Sequence, residues 1–147
     1  MLRAQQRIAQ MEPDGYLNLS QLSLTTLPPL PTTGIITLYV NYNKLTVLPD
    51  IPNGVVELNA SYNLLTKIPR LPASLRTADF TGNRMLKEPF ATFYNEYRRS
   101  TLPRNVRMDT LRRKVNEYWD RWDRMNPSDR LSSDSLSREN VKSGIHN

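Results

Sequence analysis

The sequence repeats with a period of 20 residues between residues 35 and 89. Residues 35–54 read IITLYVNYNKLTVLPDIPNG, and residues 55–74 read VVELNASYNLLTKIPRLPAS. Three asparagines, three prolines and two apolar series recur at this period: Asn43, Asn63 and Asn83; Pro49, Pro69 and Pro89; Leu38, Leu58 and Ala78; Leu45, Leu65 and Met85. A further copy, one residue longer, lies at about residues 14–34, with Leu22 in the asparagine position. Such a period predicts stacked units that bury their apolar faces against one another.

Each unit is predicted to combine a short strand with an extended return segment. The alternation in LYV and LNA points Leu38 and Leu58 inward, as in a strand with one buried face. The asparagine follows where the chain turns, and a buried amide there can satisfy backbone groups of adjacent units. We therefore predict a structural ladder of Asn43, Asn63 and Asn83. The return segments contain two or three prolines each, which exclude a helix and favour an extended chain; they are Leu27–Pro31, Leu48–Pro52 and Ile68–Pro72.

The pattern LxxLxVxxNxLTxLPxLPxx over about residues 1–90 resembles the leucine-rich repeats of secreted bacterial effectors. It is similar to the recognition half of the IpaH-type ubiquitin ligases and to YopM-like effectors that consist of repeats. Together with the period, the resemblance implies an α+β leucine-rich-repeat solenoid of about four 20-residue repeats with short parallel strands. We expect an N-terminal cap helix in residues 1–13 (helical over about Leu2–Met11), repeats in 14–89, basic C-terminal helices in 90–126 that form the second cap, and a disordered tail in 127–147.

Two helices are predicted after the last repeat, separated by Pro103. The first has one apolar face at i, i+3, i+4 and i+7 spacing: Phe90, Phe93, Tyr94 and Tyr97. The second, from about Met108 to Met125, has an apolar seam of Leu111, Val115, Tyr118, Trp122 and Met125. This seam either packs back on the first helix, which we favour, or docks a partner helix or a second copy.

The positive charge of the chain, formally +6, is concentrated in these helices, with nine arginine or lysine residues against four acidic residues between Arg98 and Arg124. The candidate basic patch consists of Arg98, Arg99, Arg104, Arg107, Arg112, Arg113 and Lys114. Basic residues of this kind can bind nucleic acid or an anionic membrane. Because acidic residues are interspersed among them, we regard nucleic acid as an unlikely partner.

The sequence shows none of the common arrangements of catalytic residues. The chain has no cysteine, and its one histidine is His146, next to the C-terminus. The catalytic domain of IpaH-type ligases uses a cysteine to accept ubiquitin, so the resemblance does not extend to ligase activity. We find no phosphate-binding loop, dinucleotide fingerprint or zinc-protease motif. We therefore expect a protein that is not an enzyme and holds no cofactor and no metal.

The predicted function is protein binding of the effector type. Tyrosine and asparagine suit adaptable recognition, and the outward, concave side of the predicted sheet supplies the candidate partner-binding residues Tyr39, Tyr42, Tyr62, Asn18, Asn41, Glu57, Asn59 and Asp79. Among them Tyr42 and Tyr62 share a phase and should stack, with Tyr39 nearby. The alternatives are anionic-ligand binding through the basic helix at 98–124, or a catalytically dead relic of a ligase effector that retains substrate recognition.

The predicted location is the bacterial cytoplasm, as a soluble chain. No apolar run approaches the roughly 18 residues of a membrane span, and the N-terminus does not resemble a cleavable signal peptide. Export into a host cell by machinery that needs no such peptide, with a host protein as partner, is the alternative that the resemblance implies. The oligomeric state does not follow from the sequence.

Overall fold

Four short strands recur at the spacing of the sequence repeat and form one parallel sheet. The computed structural model describes residues 1–127 and shows an α+β chain with three helices. The strands are β1 (Tyr16–Asn18), β2 (Thr37–Tyr39), β3 (Glu57–Asn59) and β4 (Thr77–Asp79). The helices are α1 (Leu2–Ala9), α2 (Phe90–Arg99) and α3 (Arg104–Met125). The parallel strands and the α+β class agree with the sequence prediction, whereas the predicted tail lies almost wholly outside the described residues.

The sheet has the order β1-β2-β3-β4, so consecutive strands are also neighbours in space. Its register aligns the central residue of every strand: Leu17, Leu38, Leu58 and Ala78. These four side chains are buried and form one row of the core. The return segments supply further buried residues, among them Leu48, Ile51, Ile68 and Leu71. Each unit therefore buries one strand residue and its return segment against the next unit, since none could bury this surface alone.

Helix α1 lies beside β1 at the start of the sheet. Its residue Ala4 is buried, and Ile8 packs against the core. Arg7 donates from Nη1 to the carbonyl of Asn18 at 2.8 Å, which occupies a backbone acceptor of the first strand. The helix ends at Ala9, two residues before the predicted end at Met11, because the chain turns there with Met11 N–H bonded to the carbonyl of Ile8.

The last unit differs from the others. Leu45 and Leu65 are fully buried, but Met85, in the same phase, is 58% exposed. The neighbouring Leu86 packs against the core instead. Met85 thus keeps the phase of the repeat but not its burial, because the chain here turns towards α2 and not into another strand.

Helices α2 and α3 pack against each other and against the last units. The Phe90 ring centroid lies 4.6 Å from that of Tyr118 and 5.8 Å from that of Trp119. Helix α3 begins at Arg104, directly after Pro103 and four residues before the predicted start. Its apolar face is thus covered within the molecule, as in the interpretation that we favoured.

The predicted seam of α3 was wrong towards its C-terminus. Trp119, which was not part of the seam, is 2% exposed, whereas Met125, which was, is 80% exposed. Spacing of 3.5 residues describes supercoiled helices, but this helix packs on two different elements and buries Met108, Leu111 and Val115 in line with Trp119. Tyr118 and Trp122 flank this line and are partly buried.

Candidate protein-binding face

Three buried asparagine side chains fix the turns that follow the strands. The Oδ1 atom of Asn63 accepts from the N–H of Leu45 at 3.1 Å, and its Nδ2 donates to the carbonyls of Val40 at 3.0 Å and Ala60 at 3.2 Å. Asn83 repeats this pattern with Leu65, Ala60 and Phe80, and Asn43 does so with Leu22, Leu24, Leu19 and Val40. Each amide therefore bridges its own unit and the preceding one. These hydrogen bonds fix the position of the residue that precedes the asparagine.

The residue before each asparagine has a left-handed backbone. Tyr42 and Tyr62 have φ of 56° and 55°, and Gly82, in the same phase, has φ of 78°. Gln21 occupies the corresponding position of the first unit, with φ of 56°. Residues other than glycine, asparagine and aspartate rarely adopt this conformation, which costs them roughly 1 kcal/mol or more. Glycine is the unstrained solution, so the two tyrosines are held there at a cost to stability.

Tyr42 and Tyr62 form a stacked and exposed pair. Their ring centroids are 4.7 Å apart and their planes differ by 10°, as their shared phase predicts. Tyr42 is 51% exposed and Tyr62 is 48% exposed. A Cβ atom at Gly82 would lie 2.5 Å from Cδ1 of Tyr62. The ring of Tyr62 thus lies between the ring of Tyr42 and the backbone of Gly82, and glycine is needed for this close approach.

Tyr39 belongs to a second aromatic contact on the strands. Its ring meets that of Tyr16 edge-on, with centroids 5.6 Å apart, so it contacts Tyr16 and not the stacked pair. Its hydroxyl donates to Oε2 of Glu57 at 2.9 Å. This hydrogen bond, followed by burial and the charge of Glu57, raises the pKa of Tyr39. Tyr16 is 46% exposed and was not among the candidate residues, although its alignment with Thr37 marks it as outward-facing.

The polar residues of three strands close hydrogen bonds within their own unit. In each, a side-chain Oδ1 accepts from the backbone N–H two residues later, at 2.9 to 3.0 Å; the pairs are Asn18–Ser20, Asn59–Ser61 and Asp79–Thr81. The second unit has Tyr39 and Asn41 at these positions instead. The Oδ1 atom of Asn41 is buried and has no hydrogen-bond partner among the described residues. The second unit therefore departs from a pattern that the other three units share.

We call this surface the open sheet face and define it by Tyr16, Asn18, Tyr39, Asn41, Tyr42, Glu57, Asn59, Tyr62 and Asp79. Within the four strands, Glu57 and Asp79 are the charged residues, and both are acidic. Asp79 accepts through Oδ1 from Thr81 and from the hydroxyl of Tyr94, and Glu57 accepts through Oε2. Each carboxylate keeps a second oxygen for which the described part of the chain provides no hydrogen bond.

The predicted basic patch is divided between structural and exposed cations. Arg112 donates from Nε to the carbonyl of Pro72 at 2.9 Å, from Nη2 to that of Leu75, and pairs with Asp109 at 2.8 Å. It therefore fastens α3 to a return segment and is not available to a ligand. Arg98, Arg99 and Arg104 are exposed.

The other three cations of the patch also contact the protein. Lys114 pairs with Glu96 at 2.8 Å and lies 5.8 Å from the ring centroid of Phe93. Arg107 donates to a loop carbonyl and lies over the ring of Tyr97, and Arg113 approaches Glu117 at 3.7 Å. The seven residues thus do not form one free cationic surface.

Comparison of the chain with models of protein families, with curated proteins and with solved structures finds no match. Within residues 1–127, no helix has the length and apolar character that a membrane crossing requires. The same residues contain no group of three or more histidine, cysteine, aspartate or glutamate side chains placed to hold a metal ion.

Proposed function

We propose that this chain is a leucine-rich-repeat solenoid of the LPxLP type that binds another protein through its open sheet face. The period of 20 residues, the asparagine row and the parallel order of the strands support this assignment. The resemblance to bacterial effectors makes a host protein the partner to test first. The chain has no thiol to accept ubiquitin, so recognition without ligase chemistry is the role that fits it.

The stacked pair of Tyr42 and Tyr62 is the observation that supports this proposal most directly. Stability alone favours glycine or asparagine at these left-handed positions, as Gly82 illustrates. Two half-exposed rings held at such positions cost stability and leave apolar surface in water. Rigid, amphipathic tyrosines of this kind typically supply much of the energy of protein recognition. Retaining them is best explained if a partner covers the rings.

The test uses substitutions that remove the rings but suit the backbone. Asparagine tolerates the left-handed conformation, so Tyr42→Asn/Tyr62→Asn should fold. Its free energy of unfolding should equal that of wild type or be slightly higher. Wild-type and variant chains are used to capture proteins from eukaryotic lysate, and the affinity of each captured protein is then measured after its purification. We expect binding to weaken at least about tenfold in the variant. Gln21→Asn is the matched control, since it makes the same change at the same phase without removing a ring.

Salt separates this function from the alternative at the basic helices, which the exposure of Arg98, Arg99 and Arg104 favours. Recognition dominated by tyrosine should change little between low and high salt, whereas phosphate binding should fall steeply. Capture that persists in Tyr42→Asn/Tyr62→Asn but disappears at high salt would assign the function to the basic helices. Recovery of a ubiquitin-ligase substrate as the tyrosine-dependent partner would favour descent from a ligase effector.

A further inference from the structure

Charge is distributed unevenly between the sheet and the rest of the chain. The chain has a formal charge of +6, yet the charged residues of the four strands are Glu57 and Asp79. Two arginines lie at the ends of strands and not within them. Arg7 is bound to the carbonyl of Asn18 at the carboxyl end of β1, and Arg76 precedes β4 at the opposite end. The centre of the open sheet face is therefore acidic on a basic protein.

The two carboxylates have a spacing that an extended peptide can match. Glu57 is in register with Thr77, so Asp79 lies one strand over and two residues further along. With about 4.8 Å between strands and about 3.3 Å per residue, the two Cα atoms are separated by roughly 8 Å. Alternate residues of an extended segment are about 7 Å apart and point to the same side. Two cations at i and i+2 of such a segment could each reach one carboxylate.

An aromatic ring lies next to the first of these carboxylates. Tyr39 donates to Glu57, and its ring contacts that of Tyr16. A carboxylate next to tyrosine faces suits a guanidinium group, which pairs with the carboxylate and stacks on the ring at the same time. A lysine ammonium can satisfy the charge but lacks the planar surface for stacking. Anionic partners would be repelled by both carboxylates.

We propose that the open sheet face binds an extended basic segment of its partner, with arginine side chains at alternate positions paired to Glu57 and Asp79 and one of them packed on Tyr39. This inference rests on the proposed function and adds the chemical class of the partner.

The experiment measures fluorescence anisotropy of short labelled peptides in which threonine alternates with arginine, lysine or glutamate. Wild-type protein should bind the arginine peptide most tightly, the lysine peptide less tightly and the glutamate peptide not at all. Glu57→Gln/Asp79→Asn keeps the hydrogen-bonding oxygens of both side chains and should weaken arginine-peptide binding about tenfold. Glu12→Gln/Glu117→Gln changes the net charge equally at exposed sites outside the face and should stay within about twofold of wild type.

A second variant tests whether the ring of Tyr39 contributes to arginine binding, and it leaves both carboxylates unchanged. Tyr39→Asn/Asn41→Ser gives the second unit the residues that close the hydrogen bonds of the first and third units. It should fold as stably as wild type and abolish the preference for arginine over lysine. Equal loss of both peptides in this variant, or no preference in wild type, would contradict the packing of arginine on Tyr39.

Four outcomes would overturn the inference. If Glu57→Gln/Asp79→Asn binds the arginine peptide as wild type does, the carboxylates do not recognise cations. The protein could instead bind none of the peptides but self-associate in sedimentation experiments. If Glu57→Gln/Asp79→Asn abolishes that self-association, the face binds the basic helices of a second copy. A partner protein could bind Glu57→Gln/Asp79→Asn as well as wild type but fail to bind Tyr42→Asn/Tyr62→Asn. That result would leave the protein-binding function intact and refute only the basic segment. Loss of no partner by either variant would refute both.

Discussion

The repeat region and the C-terminal helices satisfy their polar groups in different ways. In the repeats, one residue type at one phase does the same work in each unit, as Asn63 and Asn83 show. Helix α3 instead reaches the return segments through several residues of different types. Asn116 bonds to both the N–H and the carbonyl of Leu71, and Trp119 donates from Nε1 to the carbonyl of Ile68 at 2.8 Å.

Two arginines complete this aperiodic attachment. Arg112 lies on α3 and donates to the carbonyl of Pro72 in a return segment, whereas Arg70 lies on a return segment and pairs with Asp120 and Asp123 of α3 at 2.8 Å each. Burial opposes the charge of Arg70, but the two aspartates outweigh it and raise its pKa further. Proline-rich return segments have few N–H groups to pair with one another, so their carbonyls need outside donors. Helix α3 is therefore part of the fold of the last units and does more than cover their exposed end.

Removal of the Trp119 side chain tests this role of α3 with the largest expected effect. Trp119 is buried against Phe90 and its indole N–H is bonded to Ile68. We expect Trp119→Ala to lower the free energy of unfolding by about 4 kcal/mol, measured by urea denaturation followed by circular dichroism. Met125→Ala, on the same helix but exposed, should change it by less than about 0.5 kcal/mol. If Trp119→Ala lowers the free energy of unfolding only slightly and the sheet unfolds as in wild type, α3 does not contribute to the fold of the last units.

Substitution in the asparagine row tests the periodic half of the comparison. Asn63→Ala removes the partner of the Leu45 N–H, whereas the carbonyls of Val40 and Ala60 keep bonds from Asn43 and Asn83. One orphaned buried donor together with the lost amide bonds should cost about 2–3 kcal/mol in the same denaturation experiment. The exposed Asn53→Ala should be close to neutral. A cost at Asn63 no greater than that at Asn53 would mean that the row does not stabilise the units.

The same contrast explains what could be predicted from the sequence. Each periodic feature occurs several times in the sequence. The phase of the repeat therefore predicts the strands, the inward-facing leucines and the position of Tyr42 beside Tyr62. Trp119 and Arg112 each occur once, and their partners are backbone atoms about 40 to 50 residues away. No pattern marks such contacts, because backbone acceptors have no residue signature. On the candidate face, the phase predicts which residues point outward, but the Tyr39–Tyr16 contact depends on side-chain angles that the phase does not fix.

Tyr94 joins the two regions, and its substitution should have the smallest effect of the three. Its hydroxyl, on α2, accepts from the N–H of Phe80 at 3.0 Å just after β4. Tyr94→Phe leaves this buried N–H without its partner and should lower the free energy of unfolding by about 1–2 kcal/mol at pH 7.

The size of this difference should depend on pH. Burial is the main cause that raises the pKa of Tyr94 above its ordinary value. The folded chain therefore holds the phenolic proton at a pH where the unfolded chain releases it, and wild-type stability falls as the pH rises above about 10. Tyr94→Phe lacks this proton, so the difference in free energy of unfolding between wild type and Tyr94→Phe should become smaller from pH 7 to pH 10.5. Tyr118→Phe, where burial also raises the pKa, should lessen alkaline sensitivity without removing the partner of a sheet N–H. A gap at Tyr94 that stays constant or widens would show that its hydroxyl is solvated and that α2 does not close the edge of β4.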